Sequence, residues 1–198
     1  MSKGIETKDK ILTCALQLVR LNGLDSLTIG DVAKSSAMSK SGVFTHFESR
    51  DELLLKVIDF SIHEFKRKVF DRSLLVKAGL PRIYALSDLW LQWDDDASGG
   101  CPFLSAAFEF DDRPGPIRNA VANTQEKALK IWEKAAELAI QEKDFKINSD
   151  CAQFAYEVFG NIMIYNMVKR LLKSTKAISR YREGFESIIN KYKVNPKK

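Results

Sequence analysis

Along most of the chain apolar residues recur with a period near 3.6, not 2. Ile11, Ala15 and Leu18 make one such series, and Leu53, Val57 and Phe60 a second. A longer one runs through Ile117, Val121, Ala128, Ile131, Ala135 and Leu138. Two more follow, Phe154, Val158, Ile162, Tyr165 and then Ile178, Tyr181, Phe185, Ile188, Tyr192. This spacing gathers a stripe on one face of a helix, whereas a half-buried strand alternates at every residue. Glycine and proline fall between the series, at Gly23, Gly79 with Pro81, Gly99-Gly100 with Pro102, and Pro114-Gly115-Pro116, where they mark helix ends. The pattern predicts an all-α chain of about nine helices, with no alternation long enough for a sheet.

The N-terminal starts are the best specified. A first helix over Lys8 to Leu21 ends at Asn22-Gly23. A second opens after Thr28, whose hydroxyl and the Asp31 carboxylate make a reciprocal capping box, with Leu27 and Val32 placed as a hydrophobic staple. It must stop near Ser35-Ser36, because Ser39 caps a third helix expected to run through Phe47. Ser49 with Glu52 then opens a long helix from Arg50 to about Phe70. A link of three to four residues does not suit antiparallel packing and fits a crossed helix-turn-helix. Beyond Ser73 the pattern predicts helices over 81–93, 102–110, 116–141, 149–173 and 175–192, three of them with proline in the first turn.

Composition narrows the class. The 198 residues are 45% apolar and 29% charged, which excludes disordered and fibrous proteins. No apolar run approaches the ~20 residues of a membrane helix, and Met1 to Thr7 lacks a signal-peptide core, so a cytoplasmic protein without a membrane partner is expected. Three cysteines without Cys-x-x-Cys spacing argue against a disulfide framework or thiolate zinc site. The net charge of +5 is spread over both halves and does not by itself prove a polyanion partner. No Gly-rich phosphate loop, His-Glu-x-x-His or Gly-x-Ser-x-Gly occurs, so a binding protein is expected and not an enzyme. No metal and no cofactor is implied.

The stretch from Gly23 to Leu53 resembles the DNA-binding segment of TetR-family transcriptional regulators. Thr28, Asp31, Val32, Ala33, Ser39, His46, Phe47, Arg50, Glu52 and Leu53 stand where that pattern wants them. The sequence departs at Ala37, where the family usually has a turn glycine, and at Phe44, where it commonly has a tyrosine whose hydroxyl can reach phosphate. The resemblance implies a helix-turn-helix domain over residues 5–65, with its motif at about 28–47, and an effector-binding and dimerisation domain over 73–198. It further implies a homodimer, paired through the last two helices, that binds a near-palindromic double-stranded operator and is released by a small molecule. A ligand-independent architectural or division-linked factor of the same fold, and more remotely an all-helical enzyme, are the alternatives.

The residues suit DNA. Phosphates are held by helix N-termini, hydroxyls and basic side chains, and base edges are read near the start of the recognition helix. Thr28 and Ser39 stand at helix starts, and Arg50 reads as a phosphate clamp. Lys40, Ser41, Gly42, Phe44, Thr45 and His46 are candidates for the groove face, although Thr28 would cap its helix without DNA and His46 has a packed alternative. In the C-terminal stretch, Trp90, Trp93, Phe103, Phe108, Trp132, Phe159 and Met163 are candidate linings for an apolar or aromatic effector, with core packing the simpler role for any one of them. Glu109 is expected to pair with Arg113 or Arg118, Asp94-Asp95-Asp96 and Asp111-Asp112 to lie in solvated loops, and Cys101 to be inert buried sulfur unless its helix start activates it.

Overall fold

Helices two to four each begin where a side chain takes over an orphan amide. In the computed structural model, which describes residues 3–95 and 99–194, α1 (Lys3–Asn22) ends at Gly23, with φ of 90°. Helix α2 (Ile29–Ser36) starts from Thr28, whose Oγ1 accepts the Asp31 N–H at 3.1 Å. Helix α3 (Lys40–Phe44) starts from Ser39, which accepts the Gly42 N–H, and α4 (Arg50–Phe65) from Ser49, which accepts the Glu52 N–H. Helix α3 is shorter than expected: Thr45 already closes it, its hydroxyl donating back to the Gly42 carbonyl at 2.7 Å. Helix α4 leads into a π-helical turn, Lys66–Phe70, and a last turn α5 (Asp71–Ser73).

The remaining helices are α6 (Leu80–Asp95), α7 (Pro102–Phe110), α8 (Pro116–Gln141), α9 (Cys151–Arg170) and α10 (Ala177–Tyr192). The all-α expectation holds; among the described residues the one β-type pairing is an isolated bridge between Phe145 and Lys193. No helix is long and apolar enough to cross a membrane among the described residues.

Packing divides the chain into two compact units. The first unit holds residues 1–67 together with 93–124, the second 68–92 with 125–198. The stretch from Trp93 to Thr124 thus packs with the N-terminal helices. Ala106, Phe110 and Val121 bury themselves with Ile11, Val32 and Phe47 in one core. The return is made close by Gly99: a Cβ there would overlap the Arg20 carbonyl, and the next residue's N–H donates to that carbonyl at 2.8 Å. Arg20 is buried here, its guanidinium 3.9 Å from the Trp93 ring centroid and donating to the Trp93 carbonyl.

The acidic run near this turn is not a solvated loop. Asp94 and Asp95 belong to α6 and Asp94 is buried, while Asp96 lies outside the described residues. Cys101 is buried as well, and burial together with the Asp94 charge pushes its thiol well above the usual range, which makes it a poor nucleophile.

In the second unit aromatic rings fill the core. Trp90 stacks on Trp132 at 5.7 Å and meets Phe159 edge-on at 6.1 Å. Tyr181 stacks on Phe185 and shares a 2.8 Å hydrogen bond with Ser87. Helix α10 buries Tyr181, Phe185, Ile189 and Tyr192; Ile189 takes the place expected of Ile188, because spacings of four keep the stripe on the side facing α9. Glu157 and Lys191 pair between the two helices, and a Cβ at Gly184 would come within 2.7 Å of Asn161 Oδ1.

Candidate nucleic-acid interface

Helices α2 and α3 are joined by a turn in which Ala37 adopts the left-handed conformation, φ 56° and ψ 41°. The Met38 N–H returns to the Ala33 carbonyl at 2.9 Å, closing the end of α2 and setting the direction of α3. Val43 and Phe47 are driven inward, while Ser39, Lys40, Ser41, Phe44 and Thr45 stand exposed on the other side, with Thr28 exposed at the start of α2. Phe44 leaves 51% of its surface in water, an unusual position for a large aromatic.

The hydroxyls are largely committed to their own turns. Thr28 Oγ1 donates to Asp31 Oδ2 at 2.5 Å, Ser39 and Ser41 share a 3.0 Å bond, and Thr45 donates to Gly42. Lys40 is thus the main cation of the face. Its stem lies over Gly30, where a Cβ would come within 3.2 Å of Lys40 Cε and 3.6 Å of its Nζ. Gly30 was not singled out from the sequence, although a glycine inside the first turn of an otherwise good helix is the signal that would have found it. Gly42 is half-buried, and a Cβ there would crowd Ser39 Oγ and Met38 Cε of its own turn. His46 is also half-buried, its ring tilted against Phe47 at 6.5 Å.

Arg50, expected as a phosphate clamp, is half-buried and also has partners within the protein. Its Nε donates to the Leu27 carbonyl at 2.9 Å, and its Nη2 to the Asp25 carbonyl and, at 3.4 Å, to Asp25 Oδ1. The guanidinium fork finds these acceptors because the α1–α2 loop passes directly beside the start of α4. Glu109 does not pair with Arg113 or Arg118 as anticipated; its Oε2 accepts the Asp25 N–H at 2.8 Å. Arg113 instead reaches Asp25 Oδ2 at 2.6 Å, and Arg118 donates to the Asp111 carbonyl. Arg113 and then Arg50 hold the Asp25 carboxyl below the usual carboxylate range.

The aromatic residues foreseen as an effector lining fall into two clusters, one in each unit. Trp93 and Phe103 stack at 6.2 Å with Phe65 edge-on to both, whereas Trp90, Trp132 and Phe159 pack together in the second unit. Met163 is half-buried on α9. Phe108 leaves 68% of its surface exposed, because α7 turns Ala106 and Phe110 to the core. Beside Phe103 the first unit holds a void of about 10 Å³, room for one water and no more.

Family models match both parts of the chain. Residues 11–57 match the model described as "Bacterial regulatory proteins, tetR family" and residues 79–185, more than half of the chain, the one described as "Tetracyclin repressor-like, C-terminal domain". The chain belongs to the TetR family. It is a DNA-binding transcriptional regulator of that family, a class of regulators and not of enzymes. It is 27% identical over 84 residues to the HTH-type transcriptional regulator QacR of Staphylococcus aureus, a stretch covering 42% of this chain and 45% of that protein. Among solved structures, a TetR-family regulator from Cytophaga hutchinsonii superposes with a TM-score of 0.86 at 19% identity over 99% of both chains. A TetR regulator from Chloroflexus aurantiacus gives 0.80 at 22% over 96% of both. At these identities the structures speak for the fold alone.

Proposed function

We propose that the protein is a homodimeric repressor that binds a near-palindromic operator through α3 and lets go of it when a small apolar or aromatic molecule binds. The observation that carries the dimer is the outer face of α9. Tyr156, Ile164, Met167 and Leu171 are exposed by 71%, 49%, 44% and 75% and follow one helical stripe, with Gly160 open between them. The opposite face, with Phe154, Val158, Ile162 and Tyr165, is already buried in the core. A stripe this apolar wants an identical stripe across a two-fold axis, and a two-fold protein reads a two-fold site.

On the DNA side, Lys40, Ser41, Phe44 and Thr45 meet the groove, with Thr28, Ser39 and His46 near phosphates and Gly42 within the turn. Arg50 holds the loop through Nε and Nη2, which leaves the Nη1 donors of its part-exposed guanidinium for a phosphate. Effector binding rests on the aromatic clusters, Trp90, Trp132, Phe159 and Met163 in one unit and Trp93 with Phe103 in the other. Trp132 Nε1 is fully buried with no hydrogen-bond acceptor among the described residues, so an effector carrying one acceptor would satisfy it. Release requires that the effector bind the two conformations of the protein unequally.

Selection from a random duplex library, followed by anisotropy titration and sedimentation of the complex, tests the reading. The expected result is a near-palindrome with half-sites about one helical turn or a multiple of it apart, bound by two chains. Replacing Met167 and Ile164 with glutamate should give monomers that bind it poorly. Enrichment of an asymmetric single site bound by one chain would overturn the homodimer, and no enrichment at all would overturn the operator.

A further inference from the structure

The loop between α1 and α2, residues 23–28, sets where Thr28 begins α2; it buries Leu24 and Leu27 and carries two local hydrogen bonds of its own, the Leu27 N–H to the Leu24 carbonyl and the Ser26 hydroxyl to the Gly23 carbonyl. Gly23 starts it with a left-handed φ of 90°. From there the loop is anchored by side chains from two sources. Arg50, at the head of α4, takes the carbonyls of Asp25 and Leu27. Glu109 and Arg113, from the end of α7 and the turn after it, take the Asp25 N–H and the Asp25 carboxylate. The two oxygens of Asp25 are divided between the two arginines, Oδ1 to Arg50 and Oδ2 to Arg113. The carboxylate sits close over the loop: a Cβ at Gly23 would meet Glu109 Oε1, which would have to shift.

Glu109 and Arg113 lie in the segment matched by the C-terminal family model, yet they pack in the same compact unit as the helix-turn-helix. We propose that Glu109 and Arg113 are positioning residues for DNA recognition: through Asp25 they hold the α1–α2 loop, and with it the N-terminus of α2 and the head of α4, in the geometry that fits the operator. The inference rests on the DNA-binding reading above. Neither residue touches DNA in this scheme. Whatever shifts the end of α7 loosens Asp25 from both of these anchors at once and leaves Arg50 as its remaining side-chain partner, so the end of α7 acts on the start of α2 through the loop.

The test compares Glu109→Ala, Glu109→Gln, Arg113→Ala and the double alanine variant with the wild-type chain. In Glu109→Gln the side-chain amide oxygen still accepts the Asp25 N–H, so that variant separates loss of the anchor from loss of charge. Affinity for the duplex selected from the random library is measured at two salt concentrations, and amide hydrogen exchange of residues 24–28 is followed in the free protein. Glu109→Ala and Arg113→Ala should each weaken binding about tenfold, the double variant by less than the product, and Glu109→Gln by less than about twofold. The salt slope should not change, since no phosphate contact is lost, whereas a direct phosphate contact by Arg113 would lower it by about one unit and overturn the scheme. Exchange at residues 24–28 should rise in both alanine variants while that of α9 stays as it was. A variant that is folded, binds as wild type and exchanges as wild type refutes the positioning role. If the wild-type chain enriches no duplex, the DNA reading fails, and the exchange measurement alone decides whether Glu109 and Arg113 hold the loop.

Discussion

Replacing Ala37 with glycine should stabilise the protein, and the size of the effect follows from the turn. Ala37 sits at φ 56° and ψ 41°, where an L-residue pays roughly 1–2 kcal/mol relative to the right-handed region. Glycine removes that cost but brings greater freedom in the unfolded chain, worth about 0.4–1 kcal/mol in the other direction. The methyl group is exposed, so its removal opens no cavity. The net gain is about 0.5–1 kcal/mol, which for a slope of about 2–3 kcal/mol per molar in urea raises the midpoint by about 0.3 M without changing the slope. Urea titration followed by circular dichroism reads it directly. Ala37→Asn, whose side chain tolerates the left-handed region, should fall between, and Ala37→Val should be clearly destabilised, because β-branching is poorly accommodated there. Operator affinity should stay within about twofold, because the Met38 to Ala33 bond that aims α3 does not involve the side chain. A glycine variant with a midpoint lower than wild type by more than about 0.2 M would refute the strain argument.

Gly99→Ala should lower the thermal midpoint of the first unit sharply, by the equivalent of about 2–4 kcal/mol, because the new methyl must displace the Arg20 backbone; a melt within a degree of wild type would contradict the close approach. Tyr181→Phe strands the buried Ser87 hydroxyl and should cost about 1–2 kcal/mol in urea unfolding, with Ser87→Ala in the same background recovering part of it. Asp25 contributes stability that is complete above the ordinary aspartate value of about 3.9 and is lost as pH falls through its lower folded value, because protonation releases Arg113 and Arg50. Asp25→Asn should accordingly flatten the acid limb of the stability profile below about pH 4, and an unchanged limb would show that the arginines do not sense this carboxylate.

The capping residues were legible in the sequence because their partners are local. Thr28 meets Asp31, Ser39 meets Gly42 and Ser49 meets Glu52, each three positions on, so a single turn of helix decides the contact. The same locality made Val43 and Phe47 core residues and left Ser39, Lys40, Ser41 and Phe44 outside. The left-handed turn at Ala37 stands where the family pattern has its turn glycine, a local feature too. Lys40 lying over Gly30 was not legible, because it depends on how α3 crosses α2.

Arg50 shows the limit from the other side. By position it is a cation in a helix first turn beside free amides, and the phosphate role follows from that alone; its actual acceptors are 23 and 25 residues away. Glu109 and Arg113 find Asp25 across 84 and 88 residues. Local periodicity establishes that a helix exists and which of its faces is apolar, since both are set within a few turns. Which apolar face covers which is a matter of packing the whole chain, and there the alternatives differ by small sums over many contacts. That is why the helices and their caps were written in the sequence, while the return of residues 93–124 to the first unit, the burial of Asp94 and the linking of α7 to the α1–α2 loop were decided only when the tertiary structure formed.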